Sequence, residues 1–119
     1  MVRRANNVVV VLVTCANEEQ GALIARSLVG ERLAACVNLV ADIRSIYRWR
    51  DKLEDDRETL LLVKTRTQLL ARVERRVREL HTYQVPELVA LPVSKGSGPY
   101  LDWLFESTAA RARGKVRKP

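Results

Sequence analysis

The stretch Leu33 to Trp49 (LAACVNLVADIRSIYRW) restricts this 119-residue chain more than any other. Its first half is almost continuously apolar: Leu33, Ala34, Ala35, Cys36 and Val37, then Leu39 and Val40 around Asn38. Such a run suits a strand covered on both faces, or one buried at a subunit contact. The second half alternates. Ile46, Arg48 and Arg50 would project to one side of a strand, and Ser45, Tyr47 and Trp49 to the other. A strand that ends in two aromatic rings beside arginines needs a cover, which is a neighbouring subunit, a bound ligand or the chain's own core.

The rest of the chain supplies partners for that strand. Val8 to Cys15 (VVVVLVTC) is β-branched and continuous, which predicts a central strand. Asn17 can cap a following helix, with Glu18 and Glu19 at the positive end of its dipole and Gly30 as its stop. Glu58 to Thr65 (ETLLLVKT) is a further strand, joined to the organising one by a short polar turn as a long hairpin. Leu69, Leu70, Val73, Val77 and Leu80 recur at helical spacing behind a cap at Thr67. The other side of that helix, rich in Arg and Glu, reads as a solvated face with ion pairs.

Pro86 pushes Val85 into extended backbone, so a strand is expected over Glu87 to Val93, and Pro92 near its end argues for an edge or a terminus. Lys95 to Pro99 reads as a loop, and Tyr100 to Ser107 as a short helix with Leu101, Leu104 and Phe105 inward. The resulting order, βαββαβ plus a short C-terminal helix, predicts an α+β ferredoxin-like sandwich with helices on one sheet face. The other face, rich in Val and Leu, would be bare in a monomer, which argues for oligomerisation.

Length allows one domain, here expected over 8–108 between an N-terminal extension (1–7) and a basic tail (109–119) expected to be disordered. The net charge of +7 suggests nucleic acid until it is located. Five of the 21 basic residues lie in the tail, leaving 16 against 14 acids, so no specific nucleic-acid partner is expected. No apolar stretch is long enough to span a membrane and no secretory signal is evident. A cytoplasmic protein with reduced Cys15 and Cys36 is the expectation.

The chemistry-bearing residues argue against an enzyme. His81 is the single histidine and belongs to no Ser/His/Asp or Cys/His signature. Lys95-Gly96-Ser97-Gly98 is too short for a P-loop, and Thr14 to Asn17 supplies no anion loop of the acylphosphatase kind. RNA-recognition motifs carry exposed aromatics on their central strands, and VVVVLVTC and ETLLLVKT carry none.

The segments LAACVNLV, IRSIYRW, LLVKT, ELHTYQVPELVALPV and YLDWL, in this order and spacing, closely resemble the CutA family of divalent-cation tolerance proteins. The resemblance runs from about Val8 to Ser107. It implies a ferredoxin-like subunit in a homotrimer similar in architecture to the PII signalling proteins. It also implies binding of divalent metal, copper(II) first, a role in metal tolerance, and for animal members a link to acetylcholinesterase anchoring. Copper-binding members have a cysteine where this chain has Val13, with Cys15 two residues on; some carry a histidine pair where this chain has Leu80 and His81.

His81, Glu87 and Cys15 are therefore the candidate metal ligands, since a soft metal wants thiolate or imidazole ligands converging from several directions. Tyr47, Trp49, Lys64, Tyr83 and Tyr100, with His81 and Glu87, are the candidates to line an inter-subunit cleft. Such a cleft would take a small metabolite or a partner protein. The expected function is non-catalytic metal binding in cation tolerance, with a PII-like ligand-binding module as the alternative.

Overall fold

The computed structural model describes residues 1–110; the basic-tail expectation lies almost wholly outside them. The elements are β1 (Val2–Arg4), β2 (Val8–Cys15), α1 (Glu18–Gly30), β3 (Cys36–Trp49), β4 (Lys52–Arg66), a single 3-10 turn (Thr67–Leu69), α2 (Leu70–Leu80), β5 (Leu88–Pro92), β6 (Lys95–Ser97) and α3 (Gly98–Ser107). The main sheet is antiparallel with order β3-β4-β2-β5, so the apolar Val8–Cys15 run is central and Pro92 ends an edge strand. This is the ferredoxin-like βαββαβ pattern with a short C-terminal helix.

Alternation along β2 and β4 decides where the core sits. Val9, Val11, Val13 and Cys15 on β2, with Leu61 and Val63 on β4, are buried against Ile24 and Leu28 of α1 and Val73 and Val77 of α2. The approach of α1 is close. A Cβ on Gly21 would sit 3.1 Å from Leu61 Cδ2 and 3.4 Å from Leu39 Cδ2. The Thr65 hydroxyl, wholly buried in this layer, donates to the Leu33 carbonyl at 2.7 Å.

The N-terminal extension contributes β1, which pairs antiparallel with β6, Val2 opposite Ser97. The segment read as a loop is thus partly strand, because the extension supplies the ladder it needed. A second small core of Val8, Ala35, Leu101 and Leu104 joins α3 to the sheet. Two arginines hold the end of α3. Arg66 bonds the Phe105 carbonyl and, at 2.9 Å, the Thr108 hydroxyl, its guanidinium 4.8 Å from the Phe105 ring centre. Arg32 donates to the carbonyls of Glu106 and Ala109 at 2.9 Å each. Cations at the negative end of a helix satisfy its orphan carbonyls.

Two helix ends differ from expectation. α1 runs through Gly30, and the chain turns instead at Arg32, whose φ is 62°. α2 has no side-chain cap at Thr67, because a 3-10 turn precedes it and the Leu70 N–H bonds the Thr67 carbonyl. Asn17 caps α1 as expected, its side chain accepting from the Gln20 N–H at 2.9 Å.

The organising stretch divides at Cys36. Leu33, Ala34 and Ala35 are buried before the strand begins, whereas Leu39 and Val40 on β3 are exposed. Opposite the helices, Val40 and, on β5, Val89 and Leu91 leave an apolar face uncovered in the single chain.

Candidate functional site

One insertion in β3 determines which side chains meet. Val40 pairs with Leu60, but the next pair is Ile43 with Glu58, so Ala41 and Asp42 together oppose a single residue. Asp42 adopts φ 63°, the left-handed conformation such a bulge uses. The extra residue reverses the parity of everything after it. Ser45, Tyr47 and Trp49 consequently fall on the same sheet face as Val40, Glu58, Leu60 and Leu62, opposite the helices. The hairpin then closes on a two-residue turn, Arg50 and Asp51, both at positive φ, as right-handed strand twist requires.

On that face, a cleft of about 710 Å³ opens between the hairpin and the segment that follows α2. Tyr47 and Trp49 form one side, Tyr83, Val85 and Glu87 the other, with Thr14 and Glu58 also lining it. Glu58 is 6% exposed and accepts from the Tyr83 hydroxyl at 2.7 Å through Oε2; its Oε1 has no donor among the described residues. The Tyr47 hydroxyl donates to Asp56 at 2.6 Å, which pushes its pKa up to about 12. Burial and the bond to Glu58 raise the Tyr83 hydroxyl further. Both phenols are held as donors, not as acids.

His81 ends α2 and fixes the loop that walls the cleft. Its Nε2 lies 2.7 Å from the Thr14 carbonyl, and its Nδ1 accepts the Tyr83 N–H at 3.0 Å. A ring that donates from one nitrogen and accepts at the other is the neutral Nε2–H tautomer, with no lone pair left over. The Tyr83 ring packs on it at 4.6 Å between centres. The Thr82 N–H bonds Gln20 of α1 at 2.9 Å, tying the same loop to the first helix.

The predicted site residues thus separate. Tyr47, Trp49, Tyr83 and Glu87 come together in the cleft, and His81 lies behind its wall. Lys64 lies along β4 opposite Val10 and Cys36, and Tyr100 packs on Trp103 of α3, centres 5.4 Å apart; neither lines the cleft. Cys15 is fully buried on the helix side, where burial and then the Glu58 charge raise its thiol to about 11. Among the described residues, no group of three or more His, Cys, Asp or Glu side chains is arranged to hold a metal ion. Both His81 nitrogens are engaged and Cys15 is buried on the helix side, away from the cleft that Glu87 lines. His81, Glu87 and Cys15 of one chain therefore do not converge as the copper site that the resemblance implies would require.

Sequence reading missed Glu58, Thr14 and Val85. Glu58 carries a signal, a lone carboxylate before an otherwise apolar run, but the sequence alone reads as a strand starting there, whereas β4 begins at Lys52 and places Glu58 mid-strand.

Comparison with known proteins agrees with the fold. Residues 9–107 match the family described as CutA1 divalent ion tolerance protein. The divalent-cation tolerance protein CutA of Thermus thermophilus is 54% identical over 99 residues, covering 83% of this chain and 96% of that one. A chloroplastic CutA protein of Arabidopsis thaliana is 49% identical over 100 residues, 84% of this chain but 55% of its own length. The chain thus spans about half of that plant relative. The crystal structure of CutA1 from Oryza sativa superposes with a TM-score of 0.85 at 44% identity, covering 90% of this chain and 98% of that one. Among the described residues no helix is long and apolar enough to cross a membrane. With the match extending over nearly every element that builds the cleft, the chain belongs to the CutA1 divalent ion tolerance family.

Proposed function

We propose that the protein acts without catalysis, as a cytoplasmic homotrimer of PII-like architecture, in the response to divalent metal ions. Its working site in this reading is the cleft between the β3–β4 hairpin and the loop after α2, occupied by a small ligand. The observation that carries the reading is the apolar sheet face continuous with that cleft. Val89 and Leu91 are 49% and 47% exposed on it, and an uncovered face of this kind marks an association surface. Association along that face brings a neighbouring subunit up to the cleft. Direct copper binding is the competing reading; it requires ligands from more than one subunit, since the described residues of one chain hold no group of three or more His, Cys, Asp or Glu side chains placed for a metal ion.

Native mass spectrometry of the full chain, titrated with copper(II) beside His81→Ala, tests both. The expected result is a trimer whose metal uptake is unchanged by the substitution, and a Val89→Arg variant that runs as a monomer. Copper taken up three per trimer and lost in His81→Ala would install the metal reading instead. A native chain that stays monomeric at micromolar concentration would overturn the assembly.

A further inference from the structure

The lining of the cleft has a charge character opposite to that of the whole chain. It carries two carboxylates, Glu58 and Glu87, and no lysine, arginine or histidine among the described residues. Around them stand three aromatic rings, Tyr47, Trp49 and Tyr83, with Ile46 and Val85. A small anion would meet two like charges on the lining, while the Arg50 guanidinium beside it is already engaged by Gln84 Oε1 at 3.0 Å and the Trp49 ring.

Glu58 gives the second, independent indication. It is more than nine-tenths buried, yet among the described residues only one of its oxygens receives a hydrogen bond, from Tyr83. A buried carboxylate oxygen without a donor is costly unless something in the working protein supplies one. Thr14 does not: its hydroxyl turns to Glu87 Oε1, at 3.4 Å. The aromatic walls narrow the class of donor. Electron-rich ring faces attract cations that carry little bound water, and this is how amines and quaternary ammonium groups are held. Trp49 already shows the tendency, with the Arg50 guanidinium 5.4 Å from its ring centre. A metal ion would find two carboxylates and, among the described residues, no third His, Cys, Asp or Glu side chain grouped with them.

We infer that the cleft binds an organic ammonium cation, its charged nitrogen at Glu58 and Glu87 and its body between Tyr47, Trp49 and Tyr83. This rests on the cleft being a ligand site, as proposed above, and specifies the ligand's chemistry. Glu58 is the anchoring charge, Glu87 the outer one, and the Tyr83 hydroxyl fixes Glu58 in place.

Three probes of one shape and different charge test the inference by calorimetric titration of the full chain: benzyltrimethylammonium, benzyl alcohol and benzoate. The cation is expected to bind at least tenfold more tightly than either of the others. Glu58→Gln should weaken it about tenfold and Glu87→Gln about threefold, while Trp49→Leu should weaken the cation more than the alcohol. Circular dichroism and native mass confirm that each variant is folded and assembled. Should Glu58→Gln fail to fold, Glu87→Gln and the charge series on the native chain decide. Benzoate binding as well as or better than the cation would overturn the ammonium assignment and leave the cleft a ligand site. Absence of binding by all three would overturn the cleft reading together with it.

Discussion

His81 holds the main chain of Thr14: its Nε2 lies 2.7 Å from that carbonyl, one residue beyond Val13↔Leu88, the last pair of β2 with β5. The imidazole continues a strand pairing that β5 no longer provides, and its other nitrogen accepts the Tyr83 N–H. Replacing His81 with Ala leaves a half-buried N–H and a carbonyl without partners, at a cost of about 2–3 kcal/mol. Urea unfolding should show that loss, with the native mass unchanged from that of the unsubstituted protein. A His81→Ala protein as stable as the native one would mean that the ring is not structural.

The bulge at Asp42 makes a separate prediction. Its φ of 63° is tolerable for Asp and poor for a β-branched residue. Asp42→Val should lower stability by about 1–2 kcal/mol and shift the fluorescence of Trp49, whose facing depends on the bulge. Asp42→Gly should be neutral or slightly stabilising. Equal stability of the Val and Gly variants would argue that the strand does not need this conformation.

Alkaline stability should report on Cys15. Its thiol is raised from 9.0 to about 11, so between those values the folded chain keeps a proton that the unfolded chain has released. Stability then falls as pH rises. The contribution is complete below pH 9 and lost above about 11, and amounts to about 2–3 kcal/mol. Tyr47, raised to about 12, acts in the same direction at higher pH. Denaturation curves at pH 8, 10 and 11, compared with Cys15→Ala, isolate the thiol. Parallel pH dependence in the two proteins would remove Cys15 as the cause.

Arg66 is expected to determine how firmly α3 is seated. Arg66→Met keeps the apolar stem and loses the bonds to Phe105 and Thr108, which should cost about 2 kcal/mol. Amide hydrogen exchange should accelerate in Leu101 to Thr108 and much less in β2. Uniform acceleration throughout would indicate global rather than local loosening.

How far the sequence foretold these features depends on the range of the interaction. β2, the apolar half of β4 and both main helices were visible because period-2 and period-3.6 patterns are local and each buries its own stripe. The polar half of β4 from Lys52, expected as a turn over Asp51 to Asp56, is strand because it pairs with β3. The bulge was not, since no residue type forces it: Asp42 is one of several polar residues that tolerate positive φ. Without it the facing of Tyr47 and Trp49 relative to Glu58 has no local signature. The strand at Lys95–Ser97 was hidden for a different reason, its partner Val2–Arg4 lying at the far end of the chain. His81 drew attention as a lone imidazole, but that its two nitrogens are engaged depends on Thr14, 67 residues away.

The position of β2 at the centre of the sheet fixes an order of events during synthesis. Val8–Cys15 is made before both of its neighbours, β4, which begins at Lys52, and β5, which ends at Pro92. Its most apolar strand therefore leaves the ribosome with neither edge paired, and the β1–β6 ribbon waits for Ser97. Closing such distant contacts is slow, and exposed strand edges aggregate in the interval. Chaperone demand should accordingly fall on the nascent chain until β5 emerges, and a permuted chain that begins at β3 and delivers β2 after β5 should relieve it.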